Sequence, residues 1–163
     1  MKKNFNYESG FTLVELGIAF GIIALLSGFV TLNLVNVQKI TSINSAIDTL
    51  VSDINSQQTK AMVGVGNNGT GESFGIYFQS DRYILFTGTT YSGTNSSNFT
   101  IMLGSNIEFS NSTFPNNSLV FLHQSGELSG FTNGMNTINI QNTQGLNKKT
   151  VTVNRYGVIT NIN

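Results

Sequence analysis

Between Leu16 and Gln38 the chain carries no ionisable side chain, and Leu16 to Val35 is a 20-residue run that is apolar almost throughout. Such a run makes about 30 Å of helix at 1.5 Å per residue, the thickness of a bilayer core. Lys2 and Lys3 precede it, so the positive-inside rule places the N-terminus in the cytoplasm and exports the remainder. A secretory signal would be shorter and closed by a small-residue cleavage site, which is absent here. The sequence therefore predicts one transmembrane segment over 16–35. A single carboxylate, Glu15, stands at the head of the run. At the centre of a bilayer such a charge costs roughly 2.5–3.5 kcal/mol, so a carboxylate kept at the edge of the span calls for a partner. Thr12-Leu13-Val14-Glu15 also fits a capping box, and a carboxylate in the first turn suits the helix dipole.

Past the apolar run the helical period continues. Val37, Ile40, Ile43, Ile47, Leu50, Val51, Ile54, Ala61 and Met62 recur at three- and four-residue steps. Ser42, Asp48, Asp53, Gln57 and Lys60 are assigned to the other faces. Gly64-Val65-Gly66-Asn67-Asn68-Gly69 ends the pattern. That stretch matches a dinucleotide-binding spacing, but it follows a helix and leads toward a strand, so it reads as a linker. From Ser73 onward the period switches to two. Phe74 to Phe78 and Arg82 to Phe86 form a hairpin pattern, and Tyr91 to Ser97 reads as a mobile loop. Further short strands are expected around 99–103, 107–109, 119–123, 137–141, 150–154 and 158–160. The expectation is an α+β protein. One long N-terminal helix over 11–64, its first half transmembrane, packs on a C-terminal antiparallel β domain over 65–163.

Lys2-Lys3 followed by Gly10-Phe11-Thr12-Leu13-Val14-Glu15 resembles the class III signal of type IV prepilins and type II secretion pseudopilins. The later layout is most similar to minor pseudopilins of the GspH/FimT type. The resemblance implies a pilin-like fold and a leader peptide over 1–10. Prepilin peptidase would cut between Gly10 and Phe11, and the new Phe11 amine would be N-methylated. Glu15 would neutralise the Phe11 amine of a neighbouring subunit and set the register of assembly. The implied partners are homologous pilin or pseudopilin subunits, the peptidase, an inner-membrane assembly platform and membrane lipid. The implied placement is the bacterial inner membrane, single pass, and afterwards a pilus or pseudopilus. The function read from the sequence is thus a structural subunit, minor rather than major. Two alternatives stand beside it: a minor pilin that binds DNA for uptake, and a signal-anchored membrane protein that is not a pilin.

The remaining chemistry is sparse. Eight basic and eight acidic residues leave no net charge, which gives no long-range pull on nucleic acid. Lys148, Lys149 and Arg155 are the one basic cluster and the candidate DNA contact. Three cations would neutralise about three phosphates and bind weakly, in a salt-sensitive way. Without cysteine there is no disulfide, thiolate site or cysteine nucleophile. His123 is the sole histidine, so a multi-histidine metal site is excluded, and no Gly-x-Ser-x-Gly elbow is present. No catalytic residue, metal or cofactor is expected, and the chain reads as non-enzymatic.

Overall fold

Among the described residues the strands pair with antiparallel neighbours and divide into two four-stranded sheets. In a computed structural model, residues 10–64, 71–145 and 147–163 are described, with backbone alone over 29–41. Helix α1 is Leu13–Val63, followed by β1 Phe74–Phe78, β2 Arg82–Thr87, β3 Phe99–Met102, β4 Ile107–Ser112, β5 Ser118–Phe121, β6 Thr137–Asn142, β7 Lys148–Val153 and β8 Ile159–Ile162. The first sheet has the order β3-β2-β1-β5 and the second β4-β6-β7-β8. The chain forms two compact units, 1–38 and 39–163.

Two expectations are corrected at this point. Among the described residues no helix is long and apolar enough to cross a membrane. The transmembrane span over 16–35 and the single-pass inner-membrane placement fall on that ground, and the side chains of 29–35 lie outside the described set. The expected long N-terminal helix packed on a β domain is corrected as well. What packs on the sheets is the stretch 42–63, while 13–28 belongs to the other compact unit. The leader residues 1–9 and the glycine-rich exit at 65–70 also lie outside the described residues.

Within 39–163 the core follows from two periods meeting. Ile43, Ile47, Leu50, Ile54 and Ala61 recur at helical spacing and are all buried. They face alternate residues of both sheets: Phe74, Ile76 and Phe78 from β1, Leu119 and Phe121 from β5, Ile138 and Ile140 from β6, and Val151 and Val153 from β7. Gln57 falls on the same helical stripe, three past Ile54 and four before Ala61. It is 2% exposed, not on a polar face as its side-chain type suggested. Met62, expected on the stripe, is exposed.

The outer face of the first sheet carries a smaller apolar layer of Ile84, Phe86 and Val120. Gly75 makes room for it, since a Cβ there would lie 2.5 Å from Phe86 Cζ. Tyr91 closes the layer by stacking on Tyr77, with ring centroids 4.1 Å apart, and meeting Phe86 edge-on at 5.7 Å. The segment read as a mobile loop is therefore pinned at Tyr91. Asn98 Nδ2 adds a bond to the Ser92 carbonyl at 2.8 Å.

Asp53, assigned from sequence to a solvent face, is half-buried and accepts a hydrogen bond from the Tyr83 hydroxyl at 2.5 Å. Burial, then the Asp53 bond and charge, raise the Tyr83 pKa far above its ordinary 10.0. A raised folded-state pKa gives stability that is complete below pH 10 and is lost as pH rises beyond it. Replacing Tyr83 by Phe removes a donor to a carboxylate and should cost about 1.5–3 kcal/mol at pH 7. Above pH 10 the wild type alone loses this contribution, by up to about 1.4 kcal/mol per pH unit, so the two stabilities should converge. Urea unfolding at pH 7, 10 and 11 checks this. A gap that does not shrink with pH would refute it.

Candidate functional site

The residues that the sequence singled out at the N-terminus lie within the compact unit 1–38. Gly10 is exposed, with nothing among the described residues within 4 Å of the position a Cβ would take. Phe11 is 91% exposed. Helix α1 begins two residues later at Leu13, with Thr12 capping it. The Thr12 N–H donates to Glu15 Oε2 at 2.9 Å, the Thr12 hydroxyl donates to the same oxygen at 2.9 Å, and the Glu15 N–H donates to Thr12 Oγ1 at 3.2 Å. This is the reciprocal capping box that the spacing implied. The backbone bond from Thr12, and then its side-chain bond, hold the Glu15 carboxyl below the usual carboxylate range. Glu15 is thus anionic at neutral pH and fixed in direction. Both Thr12 bonds land on Oε2, and neither uses Oε1.

Behind Glu15 the helix presents Leu16, Ile18, Phe20, Ile22, Ile23, Leu25 and Leu26, all exposed. In a monomer an exposed apolar surface this continuous marks an interaction site. Among the described residues nothing stands within 4 Å of where a Cβ would be at Gly17, Gly21 and Gly28, which suits close packing of the backbone.

The three basic residues are not brought together. Lys148 opens β7 opposite Gln141, and Lys149 lies opposite Ile140, so their side chains leave opposite faces of the sheet. β7 alone separates Lys148 from Val153 by about 17 Å, and Arg155 lies beyond it. Arg155 is also engaged, its guanidinium sitting 3.2 Å from Glu127 Oε2. Adjacency in sequence misled because alternation along a strand separates neighbours.

His123 is half-buried, its ring against Gly71, where a Cβ would fall 1.5 Å from Cε1. Among the described residues its Nδ1 has no hydrogen-bond partner. No three His, Cys, Asp or Glu side chains converge among the described residues in a way that would hold a metal ion.

Two features were missed from sequence. Gln58 Nε2 donates to the Gly126 carbonyl at 3.0 Å and the Tyr156 carbonyl at 2.6 Å, tying two distant turns to the helix. A groove of about 420 Å³ also runs between helix residues 42–49 and β3. Neither leaves a local sequence signal, because each joins segments far apart in the chain. Comparison with protein-family models, curated proteins and solved structures finds no match to this chain.

Proposed function

We propose that this chain is a fibre subunit of the type IV pilin or type II secretion pseudopilin kind. It is matured by prepilin peptidase between Gly10 and Phe11 and polymerises through its N-terminal helix. The observation that carries this reading is the arrangement around Glu15. One oriented carboxylate stands at the mouth of a helix whose apolar side chains are exposed within their own compact unit. An apolar helix in that condition gains most by packing against copies of itself, at about 25 cal/mol per Å² of apolar surface removed from water. Cleavage after Gly10 would place an ammonium on Phe11. Glu15 of an adjoining subunit offers Oε1 to that amine while Thr12 keeps Oε2. A carboxylate and an ammonium that leave water together must pair, or the burial is unfavourable. The pair therefore selects one axial register from the many that an apolar helix surface alone would accept.

Mass spectrometry of the N-terminus in cells with an active prepilin peptidase tests this. The expected mature chain starts at methylated Phe11, and Gly10→Ala should leave the chain unprocessed. A wild-type chain still starting at Met1 in such cells would overturn the reading.

A further inference from the structure

Four strands form the edges of the two sheets: β3 and β5 in the first, β4 and β8 in the second. An open edge invites pairing with another chain, and proteins normally blunt it with charge, proline, a bulge or a covering segment. Three of the four are blunted. β4 carries Glu108 and an irregularity between Phe109 and Asn111. β8 has one residue too many opposite Thr152 and Val153. β5 is covered by the segment at Leu128, where the Ser129 N–H donates to the Val120 carbonyl at 2.8 Å. β3, Phe99-Thr100-Ile101-Met102, has no charge, no proline, a regular register and no covering segment among the described residues.

The core is also open on that side. Phe99 lies opposite Leu85, on the sheet face that looks toward the helix, yet it is 66% exposed. Beside it runs the 420 Å³ groove, lined by Ser42, Ser45, Ala46 and Thr49 from the helix and by Ile101 and Leu103. No charged side chain among the described residues lines it.

We infer that β3 pairs antiparallel with β3 of a second copy of this chain, and that Phe99 of each copy fills the groove of the other. The argument is one of register. The Leu103 N–H donates to the Asp81 carbonyl at 2.9 Å, and Ile101 and Phe99 stand opposite Tyr83 and Leu85. Alternation therefore turns the backbone groups of Phe99, Ile101 and Leu103 toward β2, and those of Thr100 and Met102 outward. Two copies related by a two-fold axis at Ile101 place Thr100 opposite Met102 in both directions. All outward N–H and C=O groups of the two residues then pair. The same register places Phe99 opposite Leu103 of the other copy, on the groove side. The pairing that satisfies the backbone is thus the one that buries the exposed ring. The lack of charge on β3 and in the groove removes the repulsion that a self-complementary contact would otherwise meet. This contact is independent of the chemistry at Gly10, Phe11 and Glu15.

The chain has no cysteine, so single thiols can be placed at will. In the proposed pair the two Ile101 positions oppose each other with Cα atoms about 4.5 Å apart, within disulfide range, whereas the two Thr100 positions are about 8 Å apart. Under mild oxidation, full-length Ile101→Cys should give disulfide-linked dimer in about tenfold higher yield than Thr100→Cys. Adding Phe99→Ala should lower that yield roughly tenfold. In the unaltered chain, amide exchange at Thr100 and Met102 should slow as protein concentration rises, while that at Ile162 on the blunted edge β8 should not. Equal cross-linking at both positions, indifferent to Phe99→Ala, would mean association through the exposed helix 13–28 and would overturn the pairing. So would exchange at Thr100 and Met102 that does not depend on concentration, or cross-linking of the Ile101→Cys chain to a different protein only.

Discussion

Glu15→Leu should be cleaved at Gly10 as well as the wild type is, and should enter fibres at roughly a tenth of the wild-type level or below. On the proposed reading processing depends on Gly10 and Phe11, both exposed and both left unchanged by the substitution. On the same reading incorporation depends on the carboxylate. Removing one partner of a charge pair that loses its water on assembly leaves the other charge unpaired, and in protein interfaces that deletion is among the most damaging. The capping box complicates a simple reading, because Leu also deletes the acceptor of the two Thr12 bonds. Glu15→Gln separates the two roles. Glutamine serves at the third helical position of a capping box, so it keeps an acceptor for the Thr12 N–H but carries no charge. If the charge sets the register, Gln should fail as badly as Leu. If the cap is all that matters, Gln should assemble like the wild type, and the register argument is lost. The measurement is the ratio of variant in sheared fibres to variant in the whole-cell pool.

What could be read from the sequence depended on whether the determinant was local. The capping box spans four residues, so its partners were visible in Thr12 and Glu15. The helical stripe of Ile43, Ile47, Leu50 and Ile54 was visible because burial follows the period. Gln57 was misread because its amide was weighed above its position, though the period puts it squarely on the stripe. The hairpin of β1 and β2 was legible as two alternating runs joined at Ser80-Asp81. The division into two sheets was not, because it rests on pairings of β1 with β5 and β4 with β6, which are hydrogen-bonded across long separations. The span over 16–35 was inferred from hydropathy alone. Hydropathy does not distinguish a helix made for lipid from one made for other helices, and among the described residues no helix is long and apolar enough to cross a membrane. The pinned Tyr91 loop shows the same limit from another side. Its glycine- and serine-rich composition is that of a free loop, but Tyr91 packs on Tyr77 and Phe86 and Asn98 bonds the Ser92 carbonyl.

Gly157→Val should destabilise the 39–163 unit by about 3–5 kcal/mol, through three separable effects. Gly157 has φ +76°, a left-handed conformation that costs a β-branched residue about 1–2 kcal/mol. A Cβ there would lie 2.7 Å from Phe121 Cε1, on a fully buried ring, and closer still to Gln58 Nε2. Displacing the Gln58 amide would break its bonds to Gly126 and Tyr156, each worth about 0.5–1.5 kcal/mol. Cooperative thermal unfolding should then occur about 10–20 °C lower, given the usual conversion for a domain of this size. Gln58→Ala alone should cost about 1–3 kcal/mol, since it removes both bonds without strain. The double variant should be less unstable than the two costs added, because once the amide is gone the introduced valine has one neighbour fewer to displace and no Gln58 bonds left to break. Full additivity would mean that the amide and the turn act independently, and Gln58 would not be the tie between them. A Gly157→Val chain within about 1 kcal/mol of wild type would show that the last hairpin is free to move away from the helix, since only then are strain and overlap both relieved.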